Sequence, residues 1–335
     1  MKRILTFIVS VILLSGCFAF ANTQTAFAVV DESANEQQTA QGSGDYIKWV
    51  DFNVPYEVML KAYELDIKAR GKSSFNFIEA LAVLAVRNGN SFNTRRDIVR
   101  LTELYNKLES GGAIKDIYGK DKYFNYYLES YTAIFKEFIG EYTVPETGEK
   151  GYGLKNYHPF PKGFGYSHYD DFGSSRSYGY KRRHLGHDMM GGIGTPIAAV
   201  ESGIVTDIGW NKYGGWRIGI RSFDKKRSYY YAHLRKNKPY ADGLGKGSVV
   251  QAGQIIGYLG VTGYSTKENR NMKGAPHLHI GMQLIFDEVQ KEGPKEIWID
   301  MYQICKFLSH NRVEAVKDES GYTSKNLKVS ASAKP

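Results

Sequence analysis

Two short stretches of this 335-residue chain set groups that bind metals or move protons at regular spacing. "GAPHLHIG", residues 274–281, places His277 and His279 on either side of one leucine, and "RRHLGHDMMGG" places His184 and Asp188 four apart. In a strand, residues i and i+2 share a face, and so do i and i+4. Two adjacent strands could therefore bring His184, Asp188 and one histidine of the pair to a single point. Three nitrogen or oxygen ligands plus one open position is the usual form of a catalytic zinc site. His187 competes for the ligand role, but its odd offset points it away from the face of His184 and Asp188. Taken singly, each stretch has a plainer reading as a half-exposed strand or a surface ion pair. Their distribution argues otherwise, because all eight histidines follow Gly151. A third stretch, "YYYAHL", sets His233 at the end of an aromatic strand.

The elements that must hold these residues are short strands. After Gly151, glycine and tyrosine are dense, and "GTPIAAVESGIVTDIGW", "WRIGIRSF", "GSVVQAGQIIGYLG" and "HLHIGMQLIF" read as mainly antiparallel β structure, a sandwich or barrel. Residues 46–141 differ. "VPYEVMLKAYELDIKAR", "FNFIEALAVLAVRNGN", "TRRDIVRLTELYNKLESGG" and "KYFNYYLESYTAIFKEFIG" repeat apolar residues at helical spacing, with a Thr94 cap and an Asn88-Gly89 stop. The expected fold class is therefore two domains, an all-α helical bundle followed by an antiparallel β domain. The helical part carries no histidine or cysteine and no chemistry of its own. "YTVPETGEKGYG", residues 142–153, is expected as a linker between them, residues 29–45 as a flexible linker, and 313–335 as a disordered tail.

The N-terminus bears on compartment. Lys2 and Arg3 precede an apolar run, Ile4 to Leu14, of signal-peptide length, and Ala-Phe-Ala cleavage sites end at Ala21 and Ala28. Residues 1–28 are expected as a signal peptide. Leu14-Ser15-Gly16-Cys17 offers a second route, a lipoprotein signal ending at residue 16 with Cys17 acylated, and Ile4 to Ala21 would just span a bilayer as an uncleaved anchor. All three routes export the chain, so the net charge of +9 suits an anionic cell wall rather than nucleic acid. With Cys17 removed or acylated, Cys305 has no disulfide partner and reads as a buried apolar residue.

In their order, His184/Asp188, then His233 after an aromatic strand, then His277/His279, these stretches resemble the lysostaphin-like, or LytM-type, zinc metallopeptidases of bacterial cell walls. "GTPIAAVESGIV", "GSVVQAGQIIGYLG" and "TGYST" are similar to that family's strands and turns, and the likeness covers about residues 151–310. The resemblance implies a LytM-type domain over 154–312 and one zinc ion per chain held by His184, Asp188 and His279. It also implies that His277 and His233 stand beside the open position as catalytic groups, their parts not distinguished. The implied activity is hydrolysis of peptide bonds in peptidoglycan by a zinc-activated water. In one departure, "KENRNMKGA", residues 267–275, intervenes where the family runs almost directly from "TGYST" into the histidine pair. Two other functions stay open, a zinc-holding wall-binding or assembly protein without turnover and a secreted peptidase acting on glycine-rich proteins. The helical part is expected to dock on the wall or on a division or sporulation protein. Membrane contact would come only through the N-terminal lipid or anchor.

Overall fold

The structure, a computed structural model, describes residues 46–177 and 181–330. The expected signal sequence, the Cys17 acylation site and the linker to residue 45 lie outside the described residues. Five helices come first: α1 (Tyr56–Ala69), α2 (Phe77–Asn88), α3 (Thr94–Glu109), α4 (Ile114–Tyr118) and α5 (Lys122–Phe135). Helix α2 is apolar on nearly every side and is buried accordingly, from Phe77 and Ala80 through Ala85. Asn76 accepts hydrogen bonds from the Ile78 and Glu79 amides to start it, and Gly89, left-handed at φ 56°, ends it as expected. The cap of α3 is Asn93, which accepts from the Arg96 amide, so Thr94 is the first helical residue instead. Short α4 was not expected, being too brief to show a period. None of the described helices is long and apolar enough to cross a membrane.

The segment expected as a linker is a hairpin, β1 (Ile139–Val144) with β2 (Glu149–Leu154). Its Pro and Gly make the turn, with Gly148 at φ 73°, and Tyr152 Oη donates to Asp66 of α1 at 2.7 Å. The helices are also joined to the β part of the chain through α6 (Tyr302–Leu308). Its Phe307 stacks on Phe77 at 5.8 Å and meets Tyr63 edge-on at 5.9 Å, and one apolar cluster continues from Phe52 to Leu308. Cys305, fully buried in α6, has its thiol pushed up by burial, which leaves it inert.

The β part comprises β3 (Ser167–His168), β4 (Ser175–Ser177), β5 (Lys181–Arg183), β6 (His187–Met190), β7 (Pro196–Ala198), β8 (Gly203–Asn211), β9 (Gly215–Ser222), β10 (Arg227–Ala232), β11 (Val249–Val250), β12 (Ile255–Tyr258), β13 (His277–Leu284) and β14 (Ile297–Ile299). The main sheet runs β11-β8-β9-β10-β13-β6-β3, with β14 beside the second half of β13. Its neighbours pair antiparallel. β11 and β3 stay as its free ends, so the sheet is open and not a closed barrel. Residues 314–325, expected as disordered tail, pair as β15 (Glu314–Lys317) and β16 (Tyr322–Lys325). The segment is polar overall, yet Val313, Ala315, Tyr322 and Leu327 pack with Tyr157 and Ile255 in a small second cluster.

Arg227, at the start of β10, locks helix to sheet. It is fully buried, makes two bonds of 2.8 Å to Glu201, and donates to the Ala133 carbonyl in the last turn of α5 at 2.6 Å. Removing one partner of a buried ion pair strands the other charge, at about 3–5 kcal/mol. Arg227→Ala should therefore lower unfolding stability by about that much in urea titration. An unchanged midpoint would show that Glu201 finds compensation elsewhere.

Candidate metal centre

Strand pairing brings the two sequence stretches together. In the β6–β13 register His279 lies opposite Asp188, and residues directly opposed in an antiparallel pair point to one face. His279 Nδ1 and Asp188 Oδ1 are 2.9 Å apart. His184 does not share a strand with Asp188, because β5 ends at Arg183 and β6 begins only at His187. The His184 amide instead bonds the Ser174 carbonyl, and its ring enters from the side of the sheet. Its Nε2 comes to 3.1 Å from Asp188 Oδ1 and 2.9 Å from His279 Nδ1. Gly186 makes this approach feasible, since a Cβ there would stand 2.4 Å from His279 Cε1. His187 points to the opposite face, as its offset predicts, fully buried with Nε2 2.7 Å from His168 Nδ1.

The three donor atoms fit a metal ion. His184 Nδ1 faces the Asp171 carboxylate at 3.2 Å, so it carries the proton and leaves the Nε2 lone pair aimed at the other two donors. Two ring nitrogens and a carboxylate oxygen this close repel unless a proton or a metal cation sits among them. Among the described residues these three alone form such a cluster of potential ligands. The electrostatics agree. Burial opposes a charge on His184, yet Asp171 and Asp188 outweigh it and lift the ring to about 9. Burial would raise the Asp188 carboxyl, but His184 and His279 hold it well below the usual carboxylate range. The site attracts positive charge.

His233 and His277 stand beside it, their rings 4.7 Å apart. His233 follows the end of β10 at φ 61°, a left-handed conformation that costs a non-glycine residue of order 1–3 kcal/mol. Its Nδ1 lies 2.8 Å from the Thr262 carbonyl, which can only accept, so Nδ1 bears the hydrogen and Nε2 is free. His277 repeats the device, with Nδ1 2.8 Å from the Ala275 carbonyl and Nε2 3.9 Å from Asp188 Oδ1. Burial, helped by His277 and His279, lowers His233 to about 3, which keeps that ring neutral at ordinary pH.

All five groups predicted from sequence, four rings and one carboxylate, line one groove of about 580 Å³. A second hollow of about 380 Å³, by Glu201 and Asp224, contains none of them. Two supporting residues escaped the sequence reading. Asp171 orients His184, and Arg176 bonds both Asp171 at 2.6 Å and Asp188 at 3.2 Å. Nothing in their spacing marks them, because the loop and the β4–β5 hairpin deliver them. The 267–275 insertion is pinned in place. Asn269 accepts from Trp216 Nε1 and from the Asn237 amide, both at 2.9 Å, so Met272 and Lys273 become part of the groove wall.

Residues 182–291 match the model of peptidase family M23. Over 162 residues the chain is 36% identical to the L-Ala–D-Glu endopeptidase of Bacillus subtilis, covering 47% of this chain and 46% of that one. It thus spans about half the length of that curated relative. A solved structure of LytM from Ruminococcus gnavus shares the fold with TM-score 0.52 at 22% identity, over 78% of this chain and 90% of that one. The solved catalytic domain of the antimicrobial peptidase lysostaphin from Staphylococcus simulans is 32% identical, with 99% of it covered by 50% of this chain (TM-score 0.29). His184, Asp188, His233, His277 and His279 all fall within residues 182–291, and the match identifies that segment of the chain as an M23 peptidase segment, similar to lysostaphin.

Proposed function

We propose that this chain is a zinc-dependent endopeptidase that hydrolyses peptide bonds in peptidoglycan, with His184, Asp188 and His279 as ligands and His233 and His277 as the acid–base pair. The observation that carries the reading is the triangle of donors at 2.9–3.1 Å, flanked by two imidazoles whose Nδ1 hydrogens are committed to carbonyls. Two imidazoles and a carboxylate suit zinc. Zinc held there supplies Lewis-acid chemistry, polarising the scissile carbonyl and acidifying the attacking water. His233, neutral and with Nε2 free, can take the proton of that water. His277 then has the complementary part in its protonated form, in which Nε2 also bears a hydrogen and can donate it to the oxyanion or to the leaving amine. Peptidoglycan as substrate is supported by likeness to a protein of Vibrio cholerae named a peptidoglycan DD-endopeptidase, 33% identical over 101 residues. The basic and apolar N-terminus expected to export the chain accords with that substrate.

The test is mass spectrometry of purified cell wall after incubation with the full chain, with and without a chelator. New peptide ends should appear, and the chelator should abolish them. Binding to the wall without new ends would favour the non-hydrolytic reading. Cleavage of glycine-rich proteins in preference to wall would favour the secreted-peptidase reading.

A further inference from the structure

The groove is cationic on its walls. Among the described residues Arg176, Arg182, Arg183 and Lys273 line it, against Asp188 and Glu296. Arg176 is bonded to Asp171 and Asp188, and Glu296 accepts from Trp298 Nε1 at 2.7 Å. Arg182 is held differently. Its guanidinium lies over the rings of Tyr213 and Tyr264, 5.2 Å from each centroid, and donates to Tyr264 Oη. Its partners are phenols, and no ion pair joins it to a carboxylate among the described residues. It is half-buried, and it sits directly across the β4–β5 pair from Arg176. Two like charges opposed in a strand pair destabilise it. A fold that keeps this cost and clamps the second guanidinium between aromatic rings has preorganised it as an anion receptor.

The place of that receptor relates it to the reaction. Tyr264 also stacks on His233, with ring centroids 5.8 Å apart, so Arg182 is two ring contacts from a proposed catalytic imidazole. A carboxylate on a short peptide bound across the donor triangle could reach it.

We propose that Arg182, cradled by Tyr213 and Tyr264, recognises a free carboxylate near the scissile bond, so that the groove selects acidic peptides over neutral ones such as glycine chains. The proposal rests on the peptidase reading of this groove and adds the substrate class. Planar guanidinium meets carboxylate in two parallel hydrogen bonds, a fit that a carboxamide cannot match and that a lysine reproduces only as a point charge. Lys273, exposed on the inserted loop, adds to the positive potential of the same groove.

Three synthetic peptides test it: one with the L-Ala–D-Glu sequence and a free carboxylate, the same peptide with that carboxylate as carboxamide, and a pentaglycine peptide. The full chain should cleave the acidic peptide at least about tenfold better by kcat/KM than the carboxamide, chiefly through KM. Arg182→Gln should bring that ratio close to one, and Arg182→Lys should keep part of it. Zinc content and thermal midpoint of each variant verify that it is folded. Equal cleavage of acid and carboxamide by the wild type, preference for pentaglycine, or an unchanged ratio in Arg182→Gln would overturn the proposal. If no peptide is cleaved, the peptidase reading itself fails. Calorimetric titration of the acid and carboxamide peptides against the full chain then still reads the subsite, and equal affinities would reject it.

Discussion

Asp188→Ala, His184→Ala and His279→Ala should each abolish stoichiometric zinc and all measurable hydrolysis, where the wild type is expected to hold about one zinc per chain. The expectation follows from the three-donor set, which has no described fourth protein ligand to compensate. Asp188 should be the most sensitive, because Oδ1 faces both ring nitrogens while Oδ2 receives Arg176. Its removal leaves two imidazoles 2.9 Å apart and Arg176 short of one partner. Elemental analysis after equilibrium dialysis measures the effect directly. Full zinc in Asp188→Ala would remove the ligand assignment. Zinc lost from His277→Ala but kept by His279→Ala would reverse the pair.

The second large effect is on turnover without metal loss. His233→Ala and His277→Ala should retain zinc and lose about 10²-fold or more in kcat, the scale of a general acid–base or oxyanion contribution. Each ring has its Nδ1 hydrogen fixed by a backbone carbonyl, so each presents a single competent nitrogen. Because the two act on one reaction, the double variant should fall little below the worse single one. Single-turnover kinetics on a wall peptide, alongside zinc content, make the measurement. A His233→Ala variant with near wild-type kcat would leave that ring a structural role only, consistent with its strained backbone but not with proton transfer.

Residue type and order made much of the site legible. A metal site needs nitrogen and oxygen ligands from a short list of side chains, and His184, Asp188 and His279, which the structure brings together, stood out by kind and spacing. His187 faces away from Asp188 as its offset predicts, although the premise was wrong in part, since His184 stands outside the strand that carries Asp188. The convergence held nonetheless, because His184, its amide bonded to the Ser174 carbonyl, still brings Nε2 to 3.1 Å from Asp188 Oδ1. Asp171 and Arg176 gave no signal, because contacts made through a loop and a cross-strand pair have no period along the chain.

Helical period in the first part, strand alternation in the second and the types of the five groups that meet in the groove were all legible along the chain. Side-chain period and chemical type are local properties, readable without knowing what lies alongside. Only the tertiary structure decided which nitrogen of each ring is free, since that depends on the carbonyls of Thr262 and Ala275 and the carboxylate of Asp171. It also decided how the two parts relate. A segment with Pro and Gly can be a boundary or a turn, and composition is the same in both. Pairing of Ile139–Val144 with Glu149–Leu154, the stacking of Phe77 on Phe307 and the buried Arg227 bond to Ala133 made it a turn within a shared core. The polar residues after 313 fold for the same reason, because a few apolar side chains find a surface that only the finished sheet provides.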